Sequence, residues 1–314
     1  MSLQTRIEHG VPSSNRTILV QVGDVCCSIK CHDKEVFGNL QELYREFPSE
    51  KPVDTHIELE VTDRFSCEEL ETVLSETEYI HTGNYFSTTT EMVSGEHDDT
   101  GRALHLTVER ELLNPTLEFN HLNRFLSSAY YTACKARGDW APSAFLVHSC
   151  AIRRNGRVML FSGPCESGKT TIARLCGEQH GDVINDETVQ VSRPHQDTGI
   201  LTVRGVPFVG GAGRWLNVTA PLGCVLLLKQ SQKTAVRHLD RMEAYLRFMR
   251  QIIAPAYIGQ AGRREIFSMI AEFADEVTRT VPFYELEFTL DKEALWKMLD
   301  DLESLLEKGR EQSG

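Results

Sequence analysis

Long hydrophobic runs are missing from this chain of 314 residues. The longest purely aliphatic stretch, Val225–Leu228, is far too short to cross a bilayer, so no membrane partner is expected. The opening residues MSLQTRIEHG hold no apolar segment of the kind a secretory signal needs. Positive charge is scarce as well. Lys and Arg number 33 against 45 Asp and Glu, a formal charge of -12, and a nucleic-acid footprint needs the opposite sign. Nine cysteines, an odd number scattered through the chain, read as reduced thiols rather than a disulfide framework. Cys26, Cys27, Cys31 and His32 have a superficial look of metal ligands. Strand neighbours point to opposite faces, however, and no second Cys/His pair follows at finger spacing. Repeats and low-complexity tracts are also absent. The expected class is a soluble, acidic, cytoplasmic protein.

What is present is ordinary globular composition, 41% hydrophobic and 25% charged, in a length that allows one large domain or two smaller ones. Thr17–Val22 and Val25–Cys31 are β-rich runs around Gly23-Asp24, a two-residue hairpin signal. Val36, Phe37, Leu40, Leu43, Tyr44 and Phe47 recur at helical spacing, and Ile57, Leu59 and Val61 alternate as a half-buried strand should. Short strands broken by Gly83, Gly95 and Gly101 are expected from Glu76 to Glu109, and a helix from Asn120 to Arg137 stopped by Gly138. A soft boundary near Pro142 divides residues 1–141, a small mixed α/β domain, from residues 142–314.

The second half alternates strand and helix. One strand is predicted over Phe145–Ile152 and another over Arg157–Ser162, flanking Asn155-Gly156. A helix over Lys169–Glu178 and a strand ending at Asn185 follow. Gly223–Lys229 is a buried strand of the α/β type. Helices are predicted over Asp240–Ile253, Arg263–Val277 and the Leu295, Leu299, Leu302, Leu306 stripe, with Tyr284, Leu286, Phe288 and Leu290 alternating as a strand between the last two.

Gly163-Pro164-Cys165-Glu166-Ser167-Gly168-Lys169-Thr170 matches the phosphate-binding pattern G-x-x-x-x-G-K-[ST] in full. An apolar strand, Val158–Phe161, feeds it, and a helical pattern through Thr171, Ile172 and Leu175 leaves it. That context is what the mechanism needs. Successive N–H groups at a helix start form a positive cup for phosphate, Lys169 reaches the β/γ-phosphates, and the Thr170 hydroxyl sits on Mg²⁺. An ordinary glycine-rich turn is the bland alternative.

Asp182-Val183-Ile184-Asn185-Asp186-Glu187 is an apolar strand ending in two carboxylates, the first 17 residues beyond Lys169. Beside a phosphate loop, Asp186 and Glu187 are candidate Mg²⁺ ligands, and Asp186 a candidate base for an attacking hydroxyl. A solvated acidic turn is the alternative. His148 on the preceding strand is a third candidate. Arg204 and Arg214 flank the flexible Gly205 and Gly210-Gly211-Ala212-Gly213, where a guanidinium either clamps phosphate or is simply solvated. Cys165 stands at a helix start, where a thiol is potentially reactive.

In this order His148, the Asn155-Gly156 hairpin, the Gly163–Thr170 loop, Asp186-Glu187 and Leu201–Pro207 resemble the HPr kinase/phosphorylase catalytic domain and its related proteins. The resemblance is good over residues 144–230 and loose beyond. It implies a phosphate-loop nucleotide-binding domain with a phosphoenolpyruvate-carboxykinase-like α/β fold. It implies ATP and Mg²⁺ as cofactors, and a serine or threonine hydroxyl on a protein or peptide as acceptor. Asp186 takes the position of the family's catalytic aspartate and His148 that of its histidine. Glu187 stands where the family usually has a second aspartate. Val206-Pro207 replaces the last two residues of the family's Arg-Gly-Leu-Gly, which removes a backbone donor from that loop. Phosphoryl transfer to a small molecule, and a non-catalytic ATP-sensing module, are the rival functions. A homo-oligomer is compatible with all of them.

Overall fold

The computed structural model describes residues 16–63, 85–88, 93–97, 103–109, 126–127, 129–131, 133–134, 137, 143–176, 180–208, 210–254 and 260–311. Side chains are described for all of these except residues 85–88, 93–97, 103–109, 260–264 and 309–311. The fold is α/β, built on two mixed sheets.

The first sheet has six strands in the order β1-β2-β3-β6-β5-β4. They are β1 (Thr17–Val22), β2 (Val25–Cys31), β3 (Thr55–Thr62), β4 (Tyr85–Thr88), β5 (Val93–His97) and β6 (Ala103–Glu109). Gly23-Asp24 turns β1 into β2, with Gly23 at φ 63°, as the hairpin signal requires. Helix α1 (Lys34–Leu43) begins at Asp33, whose Oδ1 accepts from the Val36 N–H at 2.9 Å. Its Val36, Leu40 and Leu43 are buried, while Phe37 is only partly so. Gly95 does not break a strand. It lies inside β5, paired with Phe86 and Leu106. Gly83, Gly101, Gly138 and Pro142 lie outside the described residues. Residues 126, 127, 129–131, 133 and 134 are helical, within the helix expected from Asn120 to Arg137.

The second sheet has nine strands, seven of them in the order β10-β8-β9-β13-β12-β11-β7. They comprise β7 (Ala144–Val147), β8 (Ser149–Arg154), β9 (Arg157–Ser162), β10 (Asp182–Asn185), β11 (Val189–Ser192), β12 (Thr202–Gly205) and β13 (Thr219–Gln230). Two more, β14 (Ala235–His238) and β15 (Phe283–Phe288), join through β15, which runs parallel to β13. The strand expected over Phe145–Ile152 is in fact two. The chain breaks at His148, whose N–H bonds the Gln251 carbonyl at 2.8 Å instead of a ladder partner, and β7 and β8 then pair with different strands. Helices α2 (Lys169–Cys176), α3 (Arg241–Phe248), α4 (Gln260–Thr280) and α5 (Lys292–Glu311) complete this half. The helix expected from Asp240 starts one residue later, with Asp240 as its cap, and changes to a 3-10 turn over Met249–Gln251.

One buried cluster runs from Val20, Ile29 and Leu40 through Tyr130 and Phe145 to Val189, Val203 and Phe273, so both sheets share it. A second cluster lies under α2 and α5. No helix among the described residues is long and apolar enough to cross a membrane.

Candidate phosphate-binding and acid-base site

Strand β9 ends at Ser162, and the loop Gly163–Gly168 carries the chain straight into α2. Two backbone features shape it. Glu166 has φ 62° and Gly168 φ 105°, and the Ser167 N–H turns back to the Pro164 carbonyl at 3.2 Å. A Cβ at Gly168 would overlap the ring of Phe288, so only glycine fits there. Gly163 is crossed closely by Ser167, whose hydroxyl oxygen would lie 2.7 Å from an added Cβ. Pro164, Cys165 and Glu166 are exposed at the loop's crest, and Thr170 and Thr171 are half-buried in the first turn of α2.

Lys169 departs from expectation. A cation that reaches for phosphate would ordinarily face solvent, and Lys169 is only 6% exposed. Its Nζ donates to the Gly163 carbonyl at 2.8 Å and the Pro164 carbonyl at 2.9 Å. Burial lowers its pKa from the ordinary lysine value, against the pull of Glu187, Cys165, Cys150 and Asp186. The lysine therefore shapes the loop from inside.

Asp186 follows β10 directly and is 1% exposed. Its Oδ2 accepts from the Ala212 N–H at 3.0 Å, and its Oδ1 is buried with no hydrogen-bond partner. Burial raises its carboxyl above the ordinary aspartate value, and the neighbouring Glu187 charge adds to the rise. The Thr170 hydroxyl and the Ala212 N–H oppose it. The 210–213 segment packs directly on this group. A Cβ at Gly210 would overlap Asp186 Oδ1, and one at Gly211 would stand 3.3 Å from Thr170 Cγ2. Arg174 of α2 ties the segment down by donating to the Gly211 carbonyl at 2.8 Å.

Glu187 and His148 face each other across the β7–β8 break, with Nε2 and Oε1 3.6 Å apart, and both are partly exposed. The Ser149 N–H binds the Glu187 carbonyl at 3.2 Å. The Ser149 and Ser162 hydroxyls bond at 2.7 Å, and Ser162 also reaches the His148 carbonyl at 3.3 Å. Thus His148, Glu187 and the residue that precedes the phosphate loop form one connected patch.

Arg204 is not part of that patch. Its Nη1 donates to the Gly23 carbonyl at 2.9 Å, on the face of β12 turned toward the first sheet. Arg214 is exposed. Cys26, Cys27 and Cys31 are buried in β2. Sequence reasoning overlooked Asn185, whose signal was its place between an apolar strand and two carboxylates, and it did not foresee that Gly210 presses on Asp186.

Thr170 and Asp186 offer oxygens, the chemistry hard divalent cations take, while the Glu187 carboxylate faces His148. Among the described residues no three His, Cys, Asp or Glu side chains converge as a self-sufficient metal cage. A cation held here would complete its shell with ligand or water oxygens.

No protein-family profile matches the chain, and no curated protein matches it. Among solved structures the chain is similar to the HPr(Ser) kinase/phosphatase from Coxiella burnetii, at 11% identity and a TM-score of 0.33. The match covers 54% of this chain and 95% of that one. A likeness of that size defines neither fold nor activity, so function has to come from the chemistry of the site itself.

Proposed function

We propose that the protein is an ATP-dependent kinase that moves the γ-phosphoryl group to a serine or threonine hydroxyl of a protein or peptide. The observation that carries this reading is Asp186, a buried carboxylate with one bare oxygen beside Thr170 of the phosphate loop. Leaving such an oxygen without a partner costs about 1–3 kcal/mol. Holding the metal of a nucleotide would use that oxygen, and transfer to a hydroxyl needs in addition a base at the reacting end of the nucleotide.

In this reading the N–H groups of residues 165–170 cradle the phosphates at the start of α2. Lys169 turns its ammonium from the Gly163 and Pro164 carbonyls toward the β/γ-phosphate oxygens, which offset the burial that depresses its pKa. Mg²⁺ would be held by the Thr170 hydroxyl and the Asp186 carboxylate and would supply charge neutralisation when bound. Asp186 takes the proton of the acceptor hydroxyl, a task its raised pKa favours. Glu187 adds negative charge beside it, and His148 holds Glu187 in place. Residues 1–141 are assigned the partner-binding or regulatory part.

The test is incubation of the full chain with Mg²⁺ and γ-labelled ATP in the presence of serine- and threonine-containing peptides, and separately of small hydroxylated compounds. Label on peptide hydroxyls supports the proposal. Label confined to small molecules replaces the acceptor class, and ATP binding without any transfer overturns the kinase.

A further inference from the structure

Asn185 ends β10 and is 0% exposed. Its carboxamide is used on both sides. Nδ2 donates to the Phe208 carbonyl at 2.7 Å and the Val206 carbonyl at 3.2 Å. Oδ1 accepts from the Glu187 N–H at 2.7 Å and the Thr188 N–H at 3.1 Å. The orientation of the amide follows from its partners. A flipped group would set its NH₂ against two donors and its oxygen against two carbonyls.

These four bonds join two segments that are distant in sequence. Glu187-Thr188 is the turn that leaves Asp186. Val206–Phe208 is the entry to the segment whose Ala212 N–H binds Asp186 Oδ2 and whose Gly210 lies against Asp186 Oδ1. The far end of that segment is tied to the same strand, because the Leu216 N–H bonds the Ile184 carbonyl at 2.8 Å and Trp215 bridges to Asn185. Asp186 thus stands between two segments that one side chain holds together.

We infer that Asn185 is a positioning residue for Asp186. It fixes residues 206–208 and 210–216 against the carboxylate turn, so that Oδ2 meets the Ala212 N–H and Gly210 lies against Oδ1. Only a side chain with two donors and an acceptor on one short stem can bind both segments at once. What Asp186 does for a bound nucleotide rests on the kinase reading, while the clamp is a property of the chain alone.

Asn185→Asp separates the two arms. It keeps the acceptor for Glu187 and Thr188 and removes both donors to Val206 and Phe208. Amide exchange over residues 206–216 is expected to quicken about 10- to 100-fold, the equivalent of two lost hydrogen bonds, while β9 and α2 keep their wild-type rates. Mn²⁺ affinity in the presence of ATP, read by electron paramagnetic resonance, falls several-fold. ATP affinity in chelator, which reports the phosphate loop, stays within about threefold. If Asn185→Asp does not fold, Asn185→Ser repeats the comparison without a buried charge.

Unchanged exchange over 206–216 overturns the clamp. Faster exchange with unchanged Mn²⁺ affinity overturns the positioning role. If the wild-type chain itself binds no Mn²⁺ with ATP, the kinase reading fails, and the exchange comparison still decides the clamp.

Discussion

Arg204 donates from Nη1 to the backbone carbonyl of Gly23 at 2.9 Å, a bond between residues 181 positions apart. Directly across the ladder from Arg204 stands Gln190, and its Nε2 donates to Asp24 Oδ1 and to the Tyr130 hydroxyl, each at 2.9 Å. Arg137 binds the Asp24 carboxylate and carbonyl, and Asp54 as well. The β1–β2 turn is therefore gripped by a cross-strand pair. That pair sits on the strands that leave Glu187 and lead into Val206, so the first sheet is fastened next to the candidate site.

Arg204→Met should therefore act on stability and not on nucleotide binding. Loss of a charged donor to a half-buried carbonyl is expected to destabilise the chain by about 1–3 kcal/mol in urea unfolding. ATP affinity by calorimetry should be unchanged. Full stability with weakened ATP binding would place Arg204 in the phosphate site after all.

Gly23→Ala attacks the same junction from the other side. Its φ of 63° is unfavourable for a side chain, and the added Cβ would overlap the buried Gln190 amide. A loss of about 2 kcal/mol is expected, with the junction's residues exchanging fastest. A neutral Gly23→Ala would mean that the turn is not held as described.

Asp186→Asn should raise stability at neutral pH. Burial lifts the folded-state pKa of Asp186 above its unfolded value. The ionised group is therefore disfavoured in the folded chain, and its contribution to stability declines as pH rises from the unfolded through the folded pKa. The asparagine variant should melt higher than wild type at pH 7 to 8, and that gap should close below about pH 4, where the unfolded aspartate is also protonated. A gap that persists unchanged into acid would assign the effect to something other than the charge.

Lys169→Ala is expected to abolish ATP binding, and its buried location adds a second effect. The Gly163 and Pro164 carbonyls lose their donor, so amides 163–168 should exchange faster even without nucleotide. Loss of ATP binding with wholly unchanged loop exchange would show that the lysine does not shape the loop.

Much of this was legible in the sequence because it is local. The β1–β2 hairpin, the Asp33-capped α1 and the strand–loop–helix from Val158 to Cys176 each follow from turn chemistry, capping and periodicity within a few residues. His148 misled because an apolar run does not show where ladder pairing changes hands. The break is set by Gln251, over a hundred positions away. Arg204 shows the same limit, since its Gly23 partner lies in the first hairpin. Lys169 was read by its charge alone, and charge does not reveal that two carbonyls of its own loop stand within reach. The role of Asn185 and the fit of Gly210 depend on residues 205–208 and 210–216 folding back over β10, a contact with no signature in local spacing.

The central claim is that Asp186 is the base for transfer and not only a ligand for the nucleotide's metal. It is tested most directly by single-turnover transfer of the γ-phosphoryl group to the labelled acceptor at saturating Mg²⁺-ATP, comparing wild type with Asp186→Asn. The account predicts Mg²⁺-ATP affinity within several-fold of wild type and a transfer rate lower by about 10²- to 10⁴-fold, as for loss of a positioned base. Transfer by Asp186→Asn at the wild-type rate would contradict it.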